Sequence, residues 1–208
     1  MLDLSYILQI LSQKRPIFHS EADFQFALAW EIKQALPDCQ IRLEFPPPSD
    51  PSKSIDILVR YGEFVYPIEL KYKSTLLSIT SSAESFILKN HGAQDLGCYD
   101  FLKDLCRVES LACSLDNFKA GFAIWLTNDP FYWQEPRNPS VGYAEFSVHD
   151  DAVKSGVMRW AQHLGSGTIK NREEALVLNG EYKIKWSTYS DLDVPNGLFK
   201  YVLLTINS

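Results

Sequence analysis

Two acids and a lysine lie close together in a segment that otherwise has the pattern of buried β-structure. The segment from Ser54 to Lys73 reads SIDILVRYGEFVYPIELKYK and carries Asp56, Glu69 and Lys71 among aliphatic and aromatic residues. Carboxylate oxygens are ligands that Mg²⁺ prefers, and a compact ammonium group suits the neutralisation of a phosphate oxygen. These residue types could hold a divalent metal ion against a phosphate and activate a water molecule there.

The turn Gly62-Glu63 sets how these residues face one another. Glycine at the first of two central positions is typical of a type II′ hairpin turn, which joins two antiparallel strands. Counting back across the turn, Asp56 faces Glu69, with Cβ atoms about 5 Å apart on one face of the sheet. Lys71 lies on that face as well, because side chains alternate with a period of two.

A metal ion would resolve the repulsion within this hairpin. Two facing carboxylates destabilise a partly covered sheet unless a cation lies between them. Pro67 complicates the register, because proline cannot donate a hydrogen bond to the ladder. We expect a β-bulge over Val65 to Pro67 to accommodate it, and the two acids converge from adjacent strands with or without that bulge.

The elements before the hairpin are predicted from apolar spacing. Leu4 to Leu11 and Phe24 to Leu36 have helical periodicity, and Ser20 is a candidate N-cap for the second helix. Residues 41 to 45 alternate between apolar and polar, which predicts a half-buried strand closed by Pro46-Pro47-Pro48, with a polar loop from Ser49 onward.

The rest of the chain alternates between helix and strand patterns. We expect a long helical region from about Ser82 to Leu115, interrupted near His91-Gly92, with Tyr99 and Cys113 on its buried face. The continuous apolar run Ala120 to Leu126 predicts a central strand that is covered on both sides. Later patterns predict an aromatic loop (Phe131 to Pro139), a short helix (Val153 to Leu164), a strand around Tyr182 to Trp186 and a last strand (Leu198 to Ile206).

Composition restricts the class of protein. The 208 residues carry a formal net charge of -6, so any phosphate-binding surface must be a local patch or depend on metal ions. The four cysteines lack zinc-site spacing and are expected to be reduced and mostly buried. Without a membrane-spanning apolar run or a signal-peptide pattern, the expected location is cytoplasmic.

A helical Glu, then an Asp, then Glu-x-Lys is an order that resembles the PD-(D/E)XK nuclease superfamily. The match covers residues 20 to 109, and Ile55 occupies the position of the Pro in the superfamily's name. The resemblance implies an α/β or α+β fold with a restriction-endonuclease-like core, a mixed central β-sheet flanked by helices. One domain would span residues 1 to 208, with the core at about 20 to 130 and an elaboration over 131 to 208.

The resemblance also assigns roles to residues. It implies that Asp56 and Glu69 bind the metal and that Lys71 helps to activate water. Glu21, at the start of its helix, best matches the helical acid and would be a further metal ligand, with Glu31 as the alternative. The implied cofactor is Mg²⁺, with Mn²⁺ as a substitute, and the implied substrate is nucleic acid, with DNA favoured over RNA.

Substrate contacts are predicted from two features. Lys73, Lys89, Lys103 and Arg107 could form the basic patch that an acidic protein needs to hold a phosphate backbone. In some branches of the superfamily a later helix supplies Gln and Tyr, and Gln94 is the match here. Tyr99 shares a helical stripe with core residues and is expected to be buried. The aromatic loop could stack on unpaired bases or simply pin itself to the core.

Two other interpretations are compatible with the sequence. The chain could be a catalytically inactive nucleic-acid-binding or structural component on the same fold, within a larger assembly. For the chain in general, the expected protein partners are a second copy in a homodimer or a larger nucleic-acid-processing assembly. No helix-turn-helix or zinc-finger pattern is present, in keeping with the inactive interpretation. Alternatively, an unrelated α+β domain could carry Glu-x-Lys by chance, and it would bind neither metal nor nucleic acid.

Overall fold

A six-stranded mixed sheet forms the centre of the molecule, with helices on both faces. The computed structural model describes residues 2–47, 50–81, 83–138, 140–165 and 167–208. Pro48, Ser49, Ser82 and Pro139 lie outside the described residues, so the predicted closure of the first strand, the start of the long helix and the end of the aromatic loop fall partly there.

The described residues form three α-helices, one 3₁₀ helix and ten strands. The helices are α1 (Leu4–Lys14), α2 (Glu21–Ala35) and α3 (Gln94–Ser114), and the 3₁₀ helix is Ala144–Phe146. The strands are β1 (Gln40–Phe45), β2 (Ile55–Tyr61), β3 (Phe64–Lys73), β4 (Leu77–Ser81), β5 (Glu84–Leu88), β6 (Ala120–Thr127), β7 (Val153–Met158), β8 (Leu176–Lys183), β9 (Trp186–Asp191) and β10 (Leu198–Asn207).

The central sheet has the strand order β1-β2-β3-β6-β10-β9. Among its described strands, β3 and β6 form the one parallel pair, and the other neighbours are antiparallel. The chain crosses from β3 to β6 through the hairpin β4–β5 and helix α3, since parallel neighbours need a long connection. The sheet is therefore mixed, and the α+β class is confirmed.

Two apolar layers hold the sheet between helices. Leu8 of α1 and Phe24 and Leu28 of α2 are fully buried against one face. Leu102 and Leu105 of α3 are fully buried against the other face. Helix α3 therefore covers the opposite side of β3 from α1 and α2, and this decides which β3 side chains it can meet.

Ser20 caps α2 as predicted. Its hydroxyl accepts a hydrogen bond from the Asp23 N–H at 3.2 Å, which satisfies one of the free donors at the helix start. The cap fixes Glu21 as the first residue of α2, at the end of the helix that lies beside β3.

The hairpin β2–β3 has the predicted register. Tyr61 pairs with Phe64, and Gly62 has φ of 61° in the turn, as its type II′ geometry requires. The pairing runs without a shift to Ile57 and Ile68, so the expected bulge is wrong. Counting from the turn, Pro67 occupies a non-hydrogen-bonded position towards β2, so no donor is missed there.

Two predicted helical segments are strands instead. The segment predicted as a helix over Val153 to Leu164 forms β7, which pairs with β8, and Gly156 has φ of 63° at an irregularity in that pairing. Residues 84–88 form β5, in which Phe86 and Leu88 are buried at a spacing of two, as a strand requires. The helix begins only at Gln94, after the predicted interruption.

Smaller corrections concern the end of α3 and the later strands. Cys113 is exposed near the end of α3 and not on its buried face, whereas Cys39 and Cys98 are buried free thiols. The predicted strand around 182 to 186 is a junction, because β8 ends at Lys183 and β9 begins at Trp186 in a different sheet. Within the described ranges, no helix has the length and apolarity to cross a membrane.

Candidate active site

Where β2 and β3 separate, two side-chain carboxylates accept the hydrogen bonds that β3 would otherwise donate to a neighbouring strand. Backbone pairing between these strands ends at Ile57 and Ile68. Beyond it, Asp56 Oδ2 accepts a hydrogen bond from the Leu70 N–H at 2.6 Å. Glu21 Oε2 accepts one from the Tyr72 N–H, also at 2.6 Å. N–H groups two residues apart point the same way, so strand β2 and helix α2 place one acid each along the same edge of β3.

Helix α3 supplies partners for the two predicted residues of β3. Lys71 Nζ lies 2.7 Å from Asp104 Oδ2. Arg107 Nη2 donates to Glu69 Oε2 and lies 3.2 Å from Asp104 Oδ1. We call the six side chains of this region the acidic cluster: Glu21, Asp56, Glu69, Lys71, Asp104 and Arg107.

The acidic cluster has too few cations for its carboxylates. Four acids face two cations, which leaves a formal excess of two negative charges. Glu69 is 1% exposed, so its charge receives almost no help from water. A divalent cation would balance this excess.

The pKa values of the cluster reflect this imbalance. Burial, followed by the charges of Asp104 and Glu21, raises the pKa of Asp56 to about 6, although the Leu70 N–H and Lys71 act in the opposite direction. Burial and the charge of Asp56 raise the pKa of Glu69 well above its ordinary value, against the effect of Arg107.

Lys71 remains charged within the cluster. Its burial favours the neutral amine, but the carboxylates of Asp104, Glu21 and Asp56 outweigh that effect and raise the pKa of Lys71 above its ordinary value. A lysine in this state serves as a fixed cation and not as a general base.

The oxygen donors of the acidic cluster suit a hard divalent ion in type, although not in their present placement. All four acids offer oxygen ligands, as Mg²⁺ prefers. Glu69 Oε1 is buried and has no hydrogen-bond partner within the described part of the chain, so one ligand atom is already free of protein donors. As the side chains are placed, no group of three or more His, Cys, Asp or Glu in the described residues is arranged to hold a metal ion. Asp56, Glu21 and Glu69 instead contact the donors of Leu70, Tyr72 and Arg107.

A second group of polar residues fixes the backbone of Asp56. Gln25 is buried, and its Nε2 donates to the Asp56 carbonyl oxygen at 2.7 Å and to Glu44 Oε1 at 2.8 Å. Ser54 Oγ donates to Glu44 Oε2 at 2.6 Å. Glu44 has φ of 49°, a left-handed conformation that costs about 1–3 kcal/mol outside glycine. These contacts hold a strained residue on the strand next to Asp56.

The residues predicted to contact substrate differ in how close they lie to the acidic cluster. Arg107 lies within the cluster. Lys103 is exposed, with its ammonium 5.9 Å from the centre of the Tyr99 ring. Gln94 contacts Asp129 Oδ2 at 3.4 Å and lies ten residues before Asp104 on α3, a rise of about 15 Å along the helix. The structure therefore does not bring Gln94 into the cluster.

Lys73 and Lys89 remain outside the contacts of the cluster. Lys73 is partly buried on the β3 face that carries Glu69 and Lys71, and it pairs through its backbone with Thr127. Lys89 is exposed after β5. Glu31, the alternative helical acid, lies 2.7 Å from Lys14, so Glu21 is the α2 acid that reaches β3.

A cleft opens beside the cluster. It has a volume of about 260 Å³, and its charged lining is Asp50, Lys53, Lys103, Asp104 and Arg107. Lys53 lies 2.9 Å from Asp50. Two exposed lysines therefore flank the part of α3 that contacts Glu69 and Lys71.

The aromatic residues considered for base stacking have structural contacts. Tyr132 is 1% exposed, and its ring centre lies 4.3 Å from that of Trp125. Trp133 packs at the margin of the same core. Tyr99 is fully buried, which confirms its assignment to the core. This loop is pinned to the core, which favours the structural interpretation.

Sequence reasoning missed Asp104 and Gln25. Asp104 precedes Arg107 by three residues on α3, so their spacing indicates a shared helix face, although not that this face lies on β3. Gln25 follows Glu21 by four residues and therefore shares its face of α2. The contact of Glu44 with Gln25 had no local signal, because it depends on the left-handed backbone of Glu44.

Comparisons with protein-family models, with curated proteins and with solved structures find no match to this chain.

Proposed function

We propose that this protein is a Mg²⁺-dependent nuclease that hydrolyses phosphodiester bonds, with DNA as the favoured substrate. The observation that carries the proposal is that Asp56 and Glu21 accept hydrogen bonds from the N–H groups of Leu70 and Tyr72, two residues apart on β3, beside Glu69 and Lys71. A restriction-endonuclease-like core over residues 20 to 130 belongs to the same proposal.

Each residue of the cluster has a role in this proposal. Asp56 and Glu69 would hold the metal, and Glu21 would add a ligand from α2. When bound, the metal supplies a Lewis acid for the phosphate and lowers the pKa of bound water. Lys71, charged and held by Asp104, would orient the attacking water or stabilise the negative charge of the phosphate. Lys73 and Lys103 would contact the nucleic-acid backbone.

The proposal predicts cleavage that depends on Lys71. The purified chain should nick or degrade plasmid or single-stranded DNA in Mg²⁺ or Mn²⁺ and do neither in EDTA. Lys71→Ala should lower the rate at least about 100-fold, the usual loss when one preorganised cationic or hydrogen-bonding group is removed. Gel-based initial rates on plasmid and labelled oligonucleotides, DNA and RNA, measure both effects.

Lys183→Ala is the matched control. Lys183 is also a strand lysine paired with an aspartate, Asp151 at 3.0 Å, but it lies on β8 and its side chain is 65% exposed. This variant should cleave at the native rate. Equal rates in Lys71→Ala and the native chain would refute the assignment of Lys71 and point to a contaminating nuclease.

One observation favours the inactive alternative. Arg107 already supplies a positive charge to Glu69, as a structural ion pair would. A non-catalytic binding component should bind nucleic acid equally well with and without divalent ions. The nuclease should show divalent-ion binding that Asp56→Asn abolishes.

A further inference from the structure

The ion pair between Glu69 and Arg107 joins a fixed group to a movable one. Glu69 lies on central strand β3 with 1% exposure, whereas the Arg107 side chain is 25% exposed on α3. The arginine can move towards solvent by side-chain rotation, whereas the buried Glu69 carboxylate has no exposed space beside it. Any departure of Arg107 would leave Glu69 in need of another cation.

The pair is also incomplete. Arginine and carboxylate commonly form two parallel hydrogen bonds. Here Arg107 Nη2 serves both Glu69 Oε2 and Asp104 Oδ1. Glu69 Oε1 and Arg107 Nε are buried and lack partners among the described residues. One carboxylate oxygen and one guanidinium N–H therefore make no contact, so Arg107 satisfies Glu69 only in part.

Lys71 cannot take over from Arg107. Lys71 lies two residues after Glu69 on the same face of β3, and its ammonium is held at 2.7 Å by Asp104. Arg107 itself has room to move, because it lines the cleft of about 260 Å³ that also contains Lys53 and Lys103. With Arg107 released into it, the cleft would hold three cations, Arg107, Lys53 and Lys103, against Asp50 and Asp104, and a positive balance attracts phosphate.

We propose that Arg107 and a divalent metal ion are alternative counter-charges of Glu69, and that metal binding releases Arg107 into the cleft to bind substrate phosphate. Two cations cannot share one buried carboxylate without strong repulsion, so each should exclude the other. The inference rests on the proposed nuclease function, because it requires a metal site at Asp56 and Glu69. It makes Arg107 a switch between an ion pair and a substrate contact.

Direct titration with Mn²⁺, followed by electron paramagnetic resonance, tests the exclusion. Arg107→Gln should bind Mn²⁺ at least about tenfold more tightly than the native chain, because a competing positive charge is gone. Arg107→Lys keeps the charge and should stay near the native affinity. Arg172→Gln is the matched control, because Arg172 pairs at 2.7 Å with Asp100, which lies on the same helix as Arg107. The affinity of Arg172→Gln for Mn²⁺ should equal that of the native chain.

The outcomes separate the inference from the proposed function. Asp56→Asn serves as the site control in the same titration. If Asp56→Asn loses Mn²⁺ while Arg107→Gln binds no more tightly than the native chain, the exclusion is refuted and the metal site stands. If no variant binds Mn²⁺, Arg107→Gln included, both fail. Thermal unfolding in EDTA identifies any variant that has not folded. If Arg107→Gln is one of these, Arg107→Met, which also removes the positive charge, takes its place.

A second readout tests the release of Arg107. Binding of a labelled single-stranded oligonucleotide is measured by anisotropy with and without Ca²⁺, a hard cation that takes oxygen ligands as Mg²⁺ does. Gel analysis of the same samples shows whether the oligonucleotide stays intact. The native chain and Arg172→Gln should gain affinity on Ca²⁺ addition, whereas Arg107→Gln should gain about tenfold less. A purely structural role would not give tighter metal binding with weaker oligonucleotide binding. Equal gains in all three proteins would refute the substrate contact.

Discussion

Asp56 gives the candidate site a pH dependence that stability measurements can detect. Its pKa is raised to about 6, chiefly by burial and then by neighbouring acids, from an ordinary value near 3.8. Between these values the folded state binds the proton more tightly than the unfolded state. Without metal, the contribution of Asp56 to stability therefore falls as pH rises from about 4 to 6 and is lowest above 6.

Asp56→Asn should remove this effect. The amide oxygen can still accept from the Leu70 N–H, so urea unfolding in EDTA should show a gain on the order of 2 kcal/mol at pH 8 and little at pH 4. Asp50→Asn is the control, because hydrogen bonds from Ser52 and the charge of Lys53 lower the pKa of Asp50 to about 2. That variant should show no gain at pH 8. A constant difference for Asp56→Asn at all pH values would contradict the assignment.

Single residues were predictable where a local rule applied. Ser20 as an N-cap and Gly62 in the turn follow from conformational preferences of their own residue types. Asp104 and Arg107 meet Lys71 and Glu69 only because α3 packs on one particular face of β3. That choice of face depends on the whole core, which no local pattern contains.

At the scale of elements, the close packing of α3 on β6 positions two of the six side chains of the acidic cluster. A Cβ added to Gly121 would lie 2.2 Å from Val108 Cγ1, so the strand and the helix approach as closely as a glycine allows. Val108 directly follows Arg107 on α3. Any shift of the helix at this point moves Arg107 and Asp104 relative to β3.

Gly121→Ala should therefore destabilise the fold by about 1–3 kcal/mol through overpacking. Val108→Ala alone should lose roughly 2 kcal/mol through its cavity, and the double variant should lose less than the sum of the two, since each change makes room for the other. Chemical denaturation measures the cycle. Gly92→Ala, where an added Cβ meets nothing within 4 Å, is the control and should be near neutral. Additive losses would show that the two residues do not share one contact.

The incorrect helix predictions have one physical cause. Residues 84–88 and 153–158 form strands of separate two-stranded ribbons, whose apolar residues are few and partly exposed. Short ribbons of this kind lack the long apolar alternation of a central strand. The buried strand β6, with all of its residues covered, gave a continuous apolar run and was predicted within one residue.

At the scale of the whole molecule, the last two strands complete one side of the central sheet. Residues 200–207 of β10 pair with the whole of β6, and β9 lies on the other side of β10. Tyr189 of β9 donates to the Arg15 carbonyl oxygen at 2.9 Å, which links this edge to the segment between α1 and α2. The sequence placed residues 131–208 as an elaboration of the core, but two of their strands belong to the central sheet.

A fragment of residues 20–130 should therefore fail to fold alone. It would expose one edge of β6, whose residues are all buried in the full chain, and unpaired apolar edges aggregate. Size-exclusion chromatography and circular dichroism should show aggregated or unfolded material, and co-expression with residues 131–208 should restore soluble protein. A monomeric fragment with cooperative unfolding would show that the predicted core is self-sufficient.

The two β3 amides that donate to carboxylates give the candidate site built-in spectroscopic sensors. The Leu70 N–H reports on Asp56, and the Tyr72 N–H reports on Glu21, because each donates to that side chain at 2.6 Å. A proton or a metal ion that binds to either carboxylate weakens the hydrogen bond from the corresponding amide and shifts its NMR resonance. Occupancy of the two acids can thus be followed separately, in the native sequence and without an attached label.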